Sequence, residues 1–181
     1  MQLQTLQDLY VEQLRDLYSA ETQLVQALPE TVSAASHEEL RMAFQTHLEE
    51  TRGHVARLEE VFSDLGMSPQ GETCMGMGGL LKEAREILSL GGDPAIRDAA
   101  LIAAAQRVEH YEIAGYGTVR TLADQLDQGD AKDILDETLD EEGKADKLLT
   151  KIATGGMFKT GINERAERGD APRGSTRGTG Y

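Results

Sequence analysis

The 181-residue chain has a formal net charge of −14, three Phe, five Tyr and no Trp. An acidic balance of this kind excludes sequence-independent nucleic-acid binding, which needs phosphate-neutralising Lys and Arg, and suits attraction of metal cations. One cysteine, Cys74, rules out an intrachain disulfide; with neither a signal peptide nor an apolar run near the roughly 18–20 residues of a membrane span, a cytoplasmic protein without membrane partners is expected.

Four long segments have helical periodicity. The first is predicted from Leu3 to Ala34, with an apolar line through Leu6, Tyr10, Leu14, Leu17, Leu24 and Leu28. The second is predicted to start at Ser36, which with Glu39 has capping-box spacing, and to end near Gly66. A long connection, Gly66 to Gly92, holds a short amphipathic stretch from Gly79 to Leu90. The third helix opens at Asp93-Pro94, an N-cap followed by proline at the first helical position. The fourth starts near Asp130, after Gln128-Gly129, and runs to about Ala153.

The connections set the topology. Short breaks near Ala35 and Gly129 make two antiparallel hairpins, and the long connection joins them. The expected class is all-α: a ferritin-like four-helix bundle with a crossover containing a short helix. Residues 1–154 form this domain. Residues 155–181, rich in Gly, Arg and Thr and without apolar periodicity, read as a disordered tail.

Acids interrupt the apolar lines. Glu21 falls between Leu17 and Leu24, Glu112 between Val108 and Tyr116, and Glu142 between Leu139 and Ala145; Glu50 and His54 flank the second line. A buried, unpaired carboxylate is costly, and acids at matching heights need a shared partner. Glu21 lies 14 residues before Ala35 and Glu50 lies 15 after it; Glu112 lies 17 before Gly129, and Glu142 and Asp146 lie 13 and 17 after it. At about 1.5 Å per residue all stand roughly 20–26 Å from their turns. Glu109 shares a face with Glu112 at i, i+3, and Glu50–His54 and Glu142–Asp146 are i, i+4 pairs. Metal ligation therefore points to Glu21, Glu50, His54, Glu109, Glu112, Glu142 and Asp146. The alternative is a set of core-edge acids paired with Arg15, Arg52 or Arg107. His47 shares the Glu50–His54 stripe and is placed outside the ligand set, supporting it; His110, Tyr18, Tyr116 and Cys74 are assigned to surface, packing and loop roles. The usual Glu-x-x-His signature is altered: the histidine comes one residue late in the second helix, and Asp146 replaces it in the fourth.

The segments Leu17-Tyr18-Ser19-Ala20-Glu21, His47-Leu48-Glu49-Glu50-Thr51-Arg52-Gly53-His54, Glu109-His110-Tyr111-Glu112-Ile113-Ala114-Gly115-Tyr116 and Leu139-x-x-Glu142-x-x-x-Asp146, with Cys74 and Met77 ahead of Gly79-Leu80-Leu81, resemble the YciF-like stress-protein family of the ferritin-like superfamily. The resemblance covers residues 1 to about 154 and implies a homodimeric helical bundle induced under stress. The mixed carboxylate and imidazole set suits dinuclear iron or manganese. Two functions follow: a di-metal oxidoreductase working on peroxide or dioxygen (peroxidase, catalase or ferroxidase type), or a non-enzymatic stress protein whose metal is structural or sequestered and which acts through its dimer surface. Iron storage in a cage fits less well with the tail and the altered fourth helix.

Overall fold

Thr5 opens the first helix by a reciprocal cap. Its Oγ1 accepts from the Asp8 N–H at 3.0 Å, while Asp8 accepts from the Thr5 N–H at 2.9 Å. The computed structural model describes residues 3–156 and 159–169. From that cap α1 runs Leu6–Ala34, α2 Glu38–Asp64, α3 Met75–Ser89, α4 Pro94–Gln125 and α5 Gly129–Thr154. The fold is all-α, as its sequence predicts. α1 pairs with α2 and α4 with α5, contacts of α1 with α4 and of α2 with α5 close the bundle, and α3 lies in the crossover against α1 and α4. Among the described residues no helix is long and apolar enough to cross a membrane.

Asp93 caps α4 as expected, accepting from the N–H groups of Ala95 at 2.8 Å and Ile96 at 3.3 Å. The α3 helix begins one turn earlier than predicted, because the Cys74 thiol accepts from the Met77 N–H and acts as its N-cap. The expected capping box at Ser36 does not form. Asp98 of α4, 1% exposed, instead takes the Ser36 N–H at 2.9 Å, the Ser36 hydroxyl at 2.6 Å and the His37 N–H at 2.8 Å. Glu39, the other half of that box, pairs with Lys159. A long-range carboxylate has displaced a local cap, and it ties the first hairpin's turn to the start of the second hairpin. Asp98→Ala is expected to lower stability by about 1–2 kcal/mol, because three donors at a part-buried turn lose their acceptor; urea denaturation reads it, and an unchanged midpoint would remove this role from Asp98.

Ordered structure continues past the predicted boundary at 154, which corrects the reading of a disordered tail over residues 155–156 and 159–169. Gly155–Gly156 (β1) pairs antiparallel with Lys159–Thr160 (β2), and α6 follows from Ile162 to Arg168. Gly155 has φ +74°, and a Cβ on Gly161 would stand 2.4 Å from the Ala153 carbonyl oxygen, so the reversal requires glycine at both. Ile162, 2% exposed, then joins Leu40, Phe44, Leu101 and Ile152 in the core. The remainder of the tail, 170–181, lies outside the described residues.

Two apolar blocks fill the bundle's ends. One holds Tyr10, Leu14, Leu58, Phe62, Val119 and Leu135; the other is the block around Ile162. The interrupted lines of α1, α2, α4 and α5 place their polar residues in the layer between.

Candidate metal centre

Glu21, His54, Glu112 and Glu142 are fully buried, and Glu109 is 2% exposed. They converge with His47 into two groups sharing Glu142. His47, Glu109, Glu112 and Glu142 form one; Glu21, His54 and Glu142 form the other, with ligand-capable atoms in each group lying within 4.8 Å of one another. Five of the seven expected ligands, drawn from α1, α2, α4 and α5, thus meet in one layer, with Glu21, Glu112 and Glu142 at the matching heights expected of them.

His54 shows how the layer is oriented. Its Nε2 lies 2.9 Å from Glu141 Oε2, and Arg57 grips that carboxylate with two bonds of 2.6 and 3.1 Å. The Arg57 guanidinium holds Glu141 below its usual carboxylate value, so Glu141 is an acceptor for Nε2–H. Nδ1 is thereby directed at the cluster, 3.0 Å from Glu142 Oε1 and 3.4 Å from Glu21 Oε1. This is how ligating histidines are commonly held, with the second ring N–H on a carboxylate. Burial disfavours a charged ring here, but the adjacent Glu142 and Glu21 carboxylates outweigh it and push His54 up to about 11. Tyr116 donates to Glu21 Oε1 at 2.5 Å. Burial and that carboxylate keep its phenol well above the usual value, so it remains a donor.

Most of the remaining polar atoms lack partners. Glu21 Oε2, Glu109 Oε2, both oxygens of Glu112 and Glu142 Oε2 are buried without a hydrogen bond, whereas His54 Nδ1 has the Glu142 and Glu21 carboxylates and His47 only longer approaches to Glu109 and Glu50. Each such atom in an apolar interior costs about 1–3 kcal/mol, and here they face one small volume. Burial, and after it the neighbouring carboxylates, raise Glu109 and Glu112 well above the ordinary carboxylate range. Burial lowers His47. Arg15 and Arg52 do not neutralise the acids: Arg15 bonds the Ser68 carbonyl and Arg52 bonds Glu49. Four carboxylates and two imidazoles match the charge and donor type of two divalent cations, so the residues fit a dinuclear oxygen-and-nitrogen site.

Two of the seven expected ligands stand outside this cluster. The Glu50 side chain is 37% exposed, with Oε2 4.0 Å from His47 Nδ1, and it lines a cleft of mixed character between α2 and α5. Asp146 accepts from Gln106 at 3.0 Å and lies 3.4 Å from His110 Nε2, on the outer seam of α4 and α5. His47, which the sequence reading kept out of the ligand set, takes a place inside, with Nε2 3.4 Å from Glu109 Oε1. Its seven-residue spacing from His54, two full helical turns, was the available signal. The structure also shows a chain beside the cluster that the sequence reading missed. The Tyr111 hydroxyl donates to Asp16 Oδ2 at 2.6 Å and lies 2.9 Å from Cys74 Sγ.

Residues 5–166 match the family described as a domain of unknown function, DUF892. Protein YciF of Escherichia coli (strain K12) is 44% identical over 165 residues, 91% of this chain and 99% of that protein. The chain is a YciF-like member of the DUF892 family. The crystal structure of the E. coli stress protein YciF matches with a TM-score of 0.80 at 45% identity, covering 82% of this chain and 94% of that one. YcfI from Rhodopseudomonas palustris, a candidate structural protein, matches with a TM-score of 0.80 at 42% identity, over 83% of this chain and 96% of its own. A protein from Xanthomonas campestris pv. campestris, 20% identical with a TM-score of 0.65, shares the fold. This DUF892 chain thus has its buried acids within the part of the sequence that the family match covers.

Proposed function

We propose that this YciF-like protein binds a dinuclear iron or manganese centre in the layer of Glu21, His54, Glu109, Glu112, Glu142 and His47, and that it acts in stress-associated redox chemistry. The convergence of unpartnered, buried carboxylate oxygens on one volume carries this reading. Such a pair of metals, when bound, exchanges two electrons with dioxygen or peroxide. The chain's own contribution is positional. Glu142 is shared by both groups, Glu141 and Arg57 fix the His54 ring, Tyr116 fixes Glu21, and the two apolar blocks exclude water. Glu50, in the cleft beside His47, would pass cations inward or complete the set during loading, and Asp146 would orient α4 against α5. A homodimer in the cytoplasm is part of the same proposal.

The test is metal content per chain after anaerobic reconstitution with ferrous iron or manganese, followed by dioxygen and peroxide consumption. Two ions per chain with turnover would support the oxidoreductase. Two ions without turnover, together with a melting temperature that falls sharply on chelation, would favour a structural or sequestered metal in a non-enzymatic stress protein. Complete burial of Glu21, His54, Glu112 and Glu142 is the observation on that second side.

A further inference from the structure

The cluster is approached from two sides by spaces of different character, one almost wholly apolar and one mixed, and His47 and Glu109 stand in the wall between them. On the α2–α5 side is a cleft of about 90 Å³ in which Thr46, Glu50 and Lys144 stand among Ala43, Ala145 and Leu148. On the other side is a cavity of about 40 Å³ between α1, α3 and α4. Its walls are Leu24, Leu28, Leu81, Leu101, Ala104 and Val108, and it ends on His47 and Glu109. The space exists because alanines occupy positions that larger side chains would fill: Ala104 is buried at its wall, and Ala27 and Ala84 stand partly exposed at its rim.

We propose that this apolar cavity admits and holds dioxygen next to the cluster, while cations and water use the cleft that carries Glu50 and Lys144. The proposal rests on the dinuclear centre proposed above and selects dioxygen over peroxide as the oxidant served by this route. Size and lining decide the occupant. A single water needs about 10–15 Å³ on this scale, so the space suits a molecule of a few atoms and not an organic substrate. An apolar cavity offers water or hydrogen peroxide none of the two to four polar partners either would need along its length. A non-polar diatomic loses nothing by entering it. Position decides the role, since the only polar groups in its lining besides Thr31 are His47 and Glu109, both in the metal-binding set.

The probe is xenon, applied under pressure to crystals of the metal-free full chain, with ferrous oxidation measured separately in solution. Xenon is expected between Leu24, Leu81 and Ala104, and Ala104→Leu is expected to remove it. In the iron-loaded protein the same substitution is expected to slow oxidation by dioxygen tenfold or more, while iron content and the rate with added hydrogen peroxide change less than twofold. Ala84→Leu, at the partly exposed rim, repeats the test should the buried variant fold poorly. No xenon in the cavity, or blocked variants oxidised by dioxygen at the wild-type rate, overturns the proposal. A wild-type protein that takes up xenon there but binds no metal keeps the cavity and overturns the dioxygen role together with the dinuclear reading, so the two failures are told apart.

Discussion

Glu142→Ala is expected to strip the protein of metal while leaving it folded. Glu142 belongs to both ligand groups, so its loss removes a donor from each position at once. Even groups that merely support a ligand are worth about 10–100-fold in metal affinity, and a shared ligand should exceed that for both ions. Elemental analysis after reconstitution and desalting reads the outcome: wild type retains two ions per chain, and the variant retains almost none. The bundle should survive, because Glu142 holds no backbone group in place and His54, the side chain it approaches, keeps its contact with Glu141. Glu112→Leu sharpens the contrast. Both Glu112 oxygens are unpartnered, so replacing the acid with an apolar side chain should stabilise the metal-free protein by about 1–3 kcal/mol, while eliminating the gain from added metal. A variant that loses stability without metal and keeps its ions would assign Glu112 to structure instead.

The metal-free protein is expected to lose stability as pH rises, against the usual behaviour of an acidic protein whose carboxylates are paired. Glu21, Glu109 and Glu112 are all raised above the ordinary value of 4.5, foremost by burial. The fold therefore holds their protons more tightly than the unfolded chain does. Their stabilising contribution is complete below about pH 4.5 and disappears as pH climbs through the folded values. His54, pushed up to about 11, acts in the same direction, with its contribution intact below 6.5 and lost between there and about 11. His47, lowered by burial, works the other way as pH falls through and below 6.5, as one group against four. The expected loss between about pH 5 and pH 9 is on the order of 3 kcal/mol or more in chelator. Bound manganese should invert the trend, because metal binding needs ionised acids and a neutral imidazole, and its contribution grows with pH. Denaturation at several pH values, with chelator and with manganese, measures both slopes. A metal-free protein that gains stability from pH 5 to pH 9, or a manganese increment independent of pH, would contradict the arrangement.

The sequence exposed the bundle because each long helix has an apolar line of period 3.6, and it exposed Glu21, Glu112 and Glu142 because they sit within those lines. Glu50 and Asp146 were harder to place, since i, i+4 spacing shows that two residues share a side of a helix but not which of them points inward. His47 and His54 differ by seven residues and about 20° in helical phase, whereas Glu50 stands about 60° from His47; that rotation turns Glu50 toward the cleft. Asp146 stands one turn beyond Glu142, where Gln106 and His110 of α4 offer partners that spacing within α5 cannot reveal. The Ser36 cap failed for a similar reason, since its competitor Asp98 is 62 residues away. The ordered part of the tail escaped notice because a single apolar residue, Ile162, anchors it, and one residue has no period.

The Tyr111 chain has a mechanical consequence. The phenol has one proton, and Asp16 takes it, so the Cys74 thiol is the donor toward Tyr111, while its sulfur accepts from the Met77 N–H. The donors all run in one direction, from the start of α3 through α4 to α1, and Gly76 lies so close to the Tyr111 ring that a Cβ there would meet it at 2.7 Å. A crossover helix fastened in this way at its first turn can neither slide along the bundle nor roll upon it. Because α3 also supplies Leu81 and Ala84 to the apolar cavity, three residues remote from that opening act as its gauge, setting how wide the doorway stands.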